Sequence, residues 1–87
     1  MTRHRLTIKG DEGLQSRAAA LLVQVASKYP CTIWIEQGSK RVNAKSIMGV
    51  LSLRLKKGDE FNLVASGDDE KVAAAAIEQL IATGKVD

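Results

Sequence analysis

Apolar and polar residues alternate along this chain with two different periods, and the changes of period mark its elements. In Arg3–Lys9, His4, Leu6 and Ile8 fall on one face and Arg3, Arg5, Thr7 and Lys9 on the other, the pattern of a strand buried on one side. Ser16–Lys28 shifts to a helical period. Ala18, Ala19, Leu22, Val25 and Ala26 form its inward stripe, while Arg17, Ala20 and Gln24 point away. Leu21 and Val23 flank the outward face and make it less polar than a purely solvated one. Pro30 stops the helix. Cys31–Gln37 alternates again, with Ile33 and Ile35 inward and Trp34 outward; Gly38-Ser39 supplies a turn, and Lys40–Asn43 returns as a short strand.

The second half repeats the alternation of periods. Ser46 precedes Ile47, Met48, Val50, Leu51 and Leu53, which reads as an N-cap and a short helix running to near Gly58. Glu60–Ser66 alternates with Phe61, Leu63 and Ala65 inward, and Gly67 turns the chain. Asp68 or Asp69 then caps a helix over Lys71–Thr83 whose stripe is Val72, Ala73, Ala76, Ile77 and Leu80, with Gly84 as its C-terminal cap. The predicted order is β-α-β-β-α-β-α. Four strands, each with one apolar face, require a single covering layer, so the expected fold is α+β: a four-stranded antiparallel sheet with three helices on one face.

Length narrows the organisation to one domain over residues 1–87, without linkers, repeats or low-complexity tracts. Apolar residues make up 45% of the chain and charged residues 26%, a globular composition; aromatics at 3% require an aliphatic, alanine-rich core. No stretch approaches the roughly 20 apolar residues of a membrane span, and Met1–Gly10 lacks a signal-peptide core, so a cytoplasmic location is expected. The single Cys31 forms no intrachain disulfide and reads as a small buried hydrophobe. The net charge of +3 is mild, and one Trp, one Tyr and one Phe offer little for base stacking; direct nucleic-acid binding is not expected.

Catalytic constellations are equally sparse. One His, one Cys and no ligand spacing suited to zinc leave no evident nucleophile–base pair or metal set, and no phosphate-cradling glycine loop is present. His4 reads as an ordinary strand residue, and the paired acids as solvated turns and a helix cap. No enzyme activity, metal or cofactor is predicted. Two helix starts remain, because each exposes free N–H groups and a partial positive charge. The first holds Gln15 and Arg17; the second is Ser46, beside Lys45 and the N–H groups of Ile47 and Met48. From physics alone Ser46 is either a plain N-cap or a hydroxyl that accepts phosphate.

The segments GLQSRAA, ALLVQVASKY, RVNAKSIMGVLSL and VASGDDE resemble the HPr family of bacterial phosphocarriers, and the similarity runs from about Leu6 to Leu80 without insertions. The resemblance implies the HPr-like open-faced sandwich. Family members carry phosphate on a histidine in a G-[IL]-H-A-R-P motif. Here that segment reads Gly13-Leu14-Gln15-Ser16-Arg17-Ala18: Gln15 stands at the histidine position and Ala18 at the proline position, while the arginine persists as Arg17. A carboxamide nitrogen has its lone pair delocalised into the carbonyl and does not take a phosphoryl group as imidazole does. Sugar phosphotransfer is therefore not expected, and Ser16 reads as a cap or first-turn residue.

Glutamine at the carrier position together with an intact serine segment is similar to the catabolite-repression branch of the family. That resemblance implies phosphorylation of Ser46 by HPr kinase/phosphorylase and action of the phosphorylated form as corepressor of the LacI-type repressor CcpA. It also implies a partner-binding face made of Arg17, Ala20, Leu21 and Val23 with Ile47, Met48, Gly49 and Leu51. A phosphorylation-independent docking or inhibitory protein, acting on a metabolic enzyme or transporter through the same face, is the alternative. Trp34 is expected either flat among Arg and Lys stems or at a self-association contact, and the edge strands leave room for a homodimer.

Overall fold

The computed structural model describes residues 1–11, 13–14 and 16–83. Its elements follow the predicted order: β1 (Thr2–Thr7), α1 (Ser16–Ser27), β2 (Thr32–Gln37), β3 (Lys40–Asn43), α2 (Ile47–Ser52), β4 (Glu60–Ser66) and α3 (Glu70–Thr83). The four strands form one antiparallel sheet in the order β1-β4-β2-β3. Register places the inward residues in rows: Leu6 faces Phe61, His4 faces Leu63, and Leu63 in turn faces Ile35. The three helices cover this face, and Leu22, Ile33, Ile35, Val50, Leu63 and Ile77 are fully buried between the layers. Burial of such a side chain contributes about 1.5–3 kcal/mol, so this aliphatic layer dominates the stability of the fold.

The opposite face of the sheet is polar with one exception. Arg3, Val64 and Trp34 form a row across β1, β4 and β2, and Val64 is fully buried there. The Arg41 guanidinium lies 4.0 Å from the Trp34 ring centroid, while Glu36 receives Arg3 at 2.6 Å and Arg41 at 3.4 Å. Trp34 is thus the floor of a cation–π and ion-pair cluster, the first of the two environments expected for it.

Two expectations need correction. The helix after Ser46 stops at Ser52, well before Gly58, because Leu53 caps it and Arg54 turns left-handed with φ of 51°. Leu53 and Leu55 are both buried; in a continued helix they would lie about 200° apart and could not both face the core. In α3 the inward stripe is Ala73, Ala74, Ile77 and Ile81, and Val72 is 58% exposed. Ala74 and Ile81 lie one turn apart on either side of Ile77, which rotates Val72 out of the core. The cap assigned to Gly84 lies outside the described residues.

Candidate functional site

The second helix start is built by the end of β3. The Asn43 side-chain oxygen accepts from the Lys45 N–H at 2.8 Å, and the Asn43 carbonyl accepts from the Ser46 N–H at 3.0 Å, turning the chain out of the sheet. Ala44 is buried, with its N–H donated to the Ile33 carbonyl, so the turn is anchored to β2. Ser46 then adopts extended dihedrals (φ −108°, ψ 114°), and its hydroxyl oxygen accepts from the Gly49 N–H at 3.2 Å. Its carbonyl accepts the first intrahelical bond, from the Val50 N–H. Ser46 is therefore an N-cap of the expected kind, bonded to the third N–H of the helix rather than to those of Ile47 and Met48.

Surroundings of the hydroxyl decide what it can do. Ser46 is half-buried, and no acidic residue stands in the first turn of α2. Ile47 and Met48 are exposed, Met48 at 76%. Gly49 lies close to β3: a Cβ there would come 3.3 Å from the Val42 Cβ and 3.4 Å from the Ser46 hydroxyl oxygen. Lys45, expected beside the serine, sends its ammonium to the Tyr29 carbonyl at 2.6 Å. That bond ties α2 to the loop following α1. Sequence reasoning missed this tie, which only the packing of α1 against α2 produces.

The first helix start meets α2 through its exit. Gly13 has φ of +69°, and a Cβ there would fall 2.5 Å from the Leu55 carbonyl oxygen; that same oxygen accepts from the Leu14 N–H at 2.9 Å. Leu14 is buried. Gln15 lies outside the described residues, and Ser16 is the first residue of α1. Arg17 and Ala20 are exposed, whereas Leu21 and Val23 are half-buried, Val23 resting against the core. In α2, Gly49 and Leu51 are half-buried and Leu51 also packs on the core. Arg17, Ala20, Ile47 and Met48 are thus the residues of the predicted face with substantial exposure, on two helices in contact.

Elsewhere the sequence offers little chemistry. His4 Nδ1 lies 3.8 Å from a Glu78 carboxylate oxygen, at the strand–helix contact rather than at either helix start. Cys31 is buried. Among the described residues, no cluster of three or more His, Cys, Asp or Glu side chains is placed to hold a metal ion. No helix there is long and apolar enough to cross a membrane.

A family profile described as "PTS HPr component phosphorylation site" matches residues 2–83, nearly the whole described chain. The chain belongs to the HPr family. Among HPr-family relatives, the HPr-like protein Crh of Bacillus subtilis (strain 168) is 42% identical over 82 residues, covering 94% of this chain and 93% of its own. The crystal structure of HPr-C-His from Thermoanaerobacter tengcongensis superposes with a TM-score of 0.94 at 46% identity, covering 97% of this chain and 94% of that one. The crystal structure of Bacillus subtilis Crh, described as a swapped, intertwined dimer, superposes with a TM-score of 0.77 at 36% identity over all of both chains. Similarity spans proteins described as HPr and as Crh, so the choice between them rests on individual residues.

Proposed function

We propose that this chain is a non-catalytic regulatory member of the HPr family, a cytoplasmic counterpart of Crh switched by phosphorylation of Ser46. The observation that carries the proposal is the Ser46 cap: a half-buried neutral hydroxyl, without first-turn acids, beside exposed Ile47 and Met48. HPr kinase/phosphorylase adds the phosphate there, bringing about −1.5 to −2 charges and strong acceptor oxygens to the α2 start. A CcpA-type repressor then reads that charge with a basic group while packing on the apolar residues beside it. Met48, unbranched and exposed, adapts to the partner surface. Arg17, exposed and without an ion pair to a described residue, is available for an acid of the partner.

The identity of residue 15 supports the non-catalytic part of the proposal. Gln15 stands where the family's phosphocarrier histidine belongs, and an amide has no free nitrogen lone pair to attack a phosphoryl donor. Incubation with phosphoenolpyruvate and enzyme I is expected to leave no acid-labile phosphate on the protein. Incubation with HPr kinase/phosphorylase and ATP is expected to label the wild type on Ser46, and the labelled form alone to bind CcpA. A wild type that stays unmodified under those conditions rejects the proposal. Partner capture that survives Ser46→Ala would favour phosphorylation-independent docking to a metabolic enzyme or transporter. The dimeric Crh structure further supports a homodimer for this chain, which sedimentation of the unmodified protein tests directly.

A further inference from the structure

Among the described residues, strand β1 lies at the edge of the sheet and pairs only with β4. Ile8 exchanges backbone bonds with the β4 side, donating to the Asp59 carbonyl and accepting from the Gly58 N–H. The register of β1 against β4 continues unbroken from there to Thr2. Because successive residues of a strand turn their N–H and C=O groups to opposite sides, Arg3, Arg5 and Thr7 present theirs to the open edge. The strand is held at both ends: Thr2 donates its hydroxyl to Glu70 at 2.6 Å, and Ile8 is fixed as described. An edge so fixed is a preorganised template, with little ordering left to be lost on binding.

A groove of about 580 Å³ runs between this edge and the outer flank of α3, lined by Arg5, Lys9, Ala75, Glu78, Gln79 and Ala82 among others. Ala75 and Ala82 are exposed and keep the helix wall low, leaving depth for the side chains of an added strand. The charges along the edge and on the helix wall are unequal. On the helix wall, a Glu78 carboxylate oxygen lies 3.8 Å from His4 Nδ1. Lys9 has no ion pair with a described residue, and the Arg5 guanidinium reaches Glu60 only at 4.0 Å. Arg3, farther along the edge, is engaged by Glu36. Pairing of β1 with a second β1 in antiparallel register about Leu6 would set Arg3 opposite Lys9, a like-charge pair that costs stability.

We propose that the β1 edge and the α3 groove form a docking site for an extended, acidic segment of a partner protein, added as a fifth strand beside β1. Backbone bonds to Arg3, Arg5 and Thr7 supply the attachment, and carboxylates meeting Arg5 and Lys9 supply the selection. This site lies on the edge of the sheet and does not depend on Ser46.

Titration of the isotope-labelled full chain with a capped octapeptide of alternating valine and glutamate tests the proposal, with alternating valine and lysine as the control peptide. The acidic peptide is expected to shift the Arg3, Arg5 and Thr7 amides and slow their hydrogen exchange, and the basic peptide to leave them unchanged. Reversing both cations, Arg5→Glu with Lys9→Glu, is expected to weaken binding about tenfold while β4 amide protection stays intact. Ala75→Glu, on the exposed helix wall, should weaken it in the same direction. Equal binding of the basic peptide, or shifts confined to α1 and α2, would overturn the proposal. So would edge protection that appears with protein concentration alone, since the occupant would then be a second copy.

Discussion

The starts of α2 and α3 meet the same requirement in opposite ways. Each helix opens with N–H groups that have no partner within the helix. At α3 the chain places a permanent charge in the first turn: the Glu70 carboxylate accepts from the Gly67 N–H of the preceding turn at 3.1 Å and the Thr2 hydroxyl at 2.6 Å, and stands 3.0 Å from the N-terminal amine. At α2 it supplies a neutral hydroxyl, with no acid in the first turn. The α3 start is a joint between β1 and the β4–α3 turn, already saturated with charge. The α2 start holds its cap with a group that can still gain charge, flanked by exposed apolar side chains. The first builds the molecule, and the second leaves it room to change state.

The comparison breaks most completely at Ser46. Ser46→Ala is expected to abolish kinase-dependent labelling and CcpA binding together, measured by phosphate incorporation and by equilibrium binding. Partial labelling of this variant would move the acceptor elsewhere and dissolve the contrast between the two starts. A smaller effect separates capping from signalling. Loss of the hydroxyl cap should cost about 1 kcal/mol, a fall in Tm of about 4–8 °C for a domain of this size. Ser46→Asp, whose carboxylate is an equally good cap, should recover that stability and still refuse the kinase.

The strand and helix periods were legible where a segment faces one neighbour. Lys40–Asn43 and Glu60–Ser66 agree with the predicted bounds to the residue, since alternation and a flanking glycine turn define a strand locally. Ser46 was legible as a cap for the same reason. What failed depends on partners distant in sequence. Leu55 reads as helical until its burial beneath the Gly13–Leu14 segment is known. Val72 is as apolar as its neighbours, and only the rotation set by Ala74 and Ile81 turns it outward. Lys45 looked free to meet a phosphate because the Tyr29 carbonyl lies 16 residues away. Glu70 appeared only among clustered acids, although it joins the first strand to the last helix.

That joint gives the α3 side of the comparison a pH signature. Hydrogen bonds from the Thr2 hydroxyl and the Gly67 N–H, together with the N-terminal amine, push the Glu70 carboxyl down to about 2 from its ordinary 4.5. A carboxyl depressed in the folded state contributes stability above its unfolded value and loses it as pH falls toward the folded value. Wild-type stability should therefore decline between about pH 4.5 and pH 2 as Glu70 takes up its proton. Glu70→Gln should be less stable at neutral pH and should show a flatter decline over the same interval, in urea melts recorded across pH. An unchanged slope would mean that Glu70 is not the group linking β1 to α3.

The smallest change tests whether the α2 start is tuned for access or only for folding. Gly49 interrupts a six-residue helix, and alanine at an interior helical position is favoured by about 0.8–1.0 kcal/mol. Against this, its Cβ would meet the Val42 Cβ at 3.3 Å and the Ser46 hydroxyl oxygen at 3.4 Å, closer than side chains ordinarily pack. Val42 and Ser46 are only half-buried, so small shifts can relieve the contact, and the two effects should nearly cancel. Gly49→Ala is expected to change stability by less than about 1 kcal/mol in urea melts. The added methyl sits against the hydroxyl proposed to accept phosphate, so labelling by the kinase should slow even though the fold is unaffected. Unchanged labelling would mean that the glycine serves only the approach of α2 to β3, and the contrast between the two starts would then rest on charge alone.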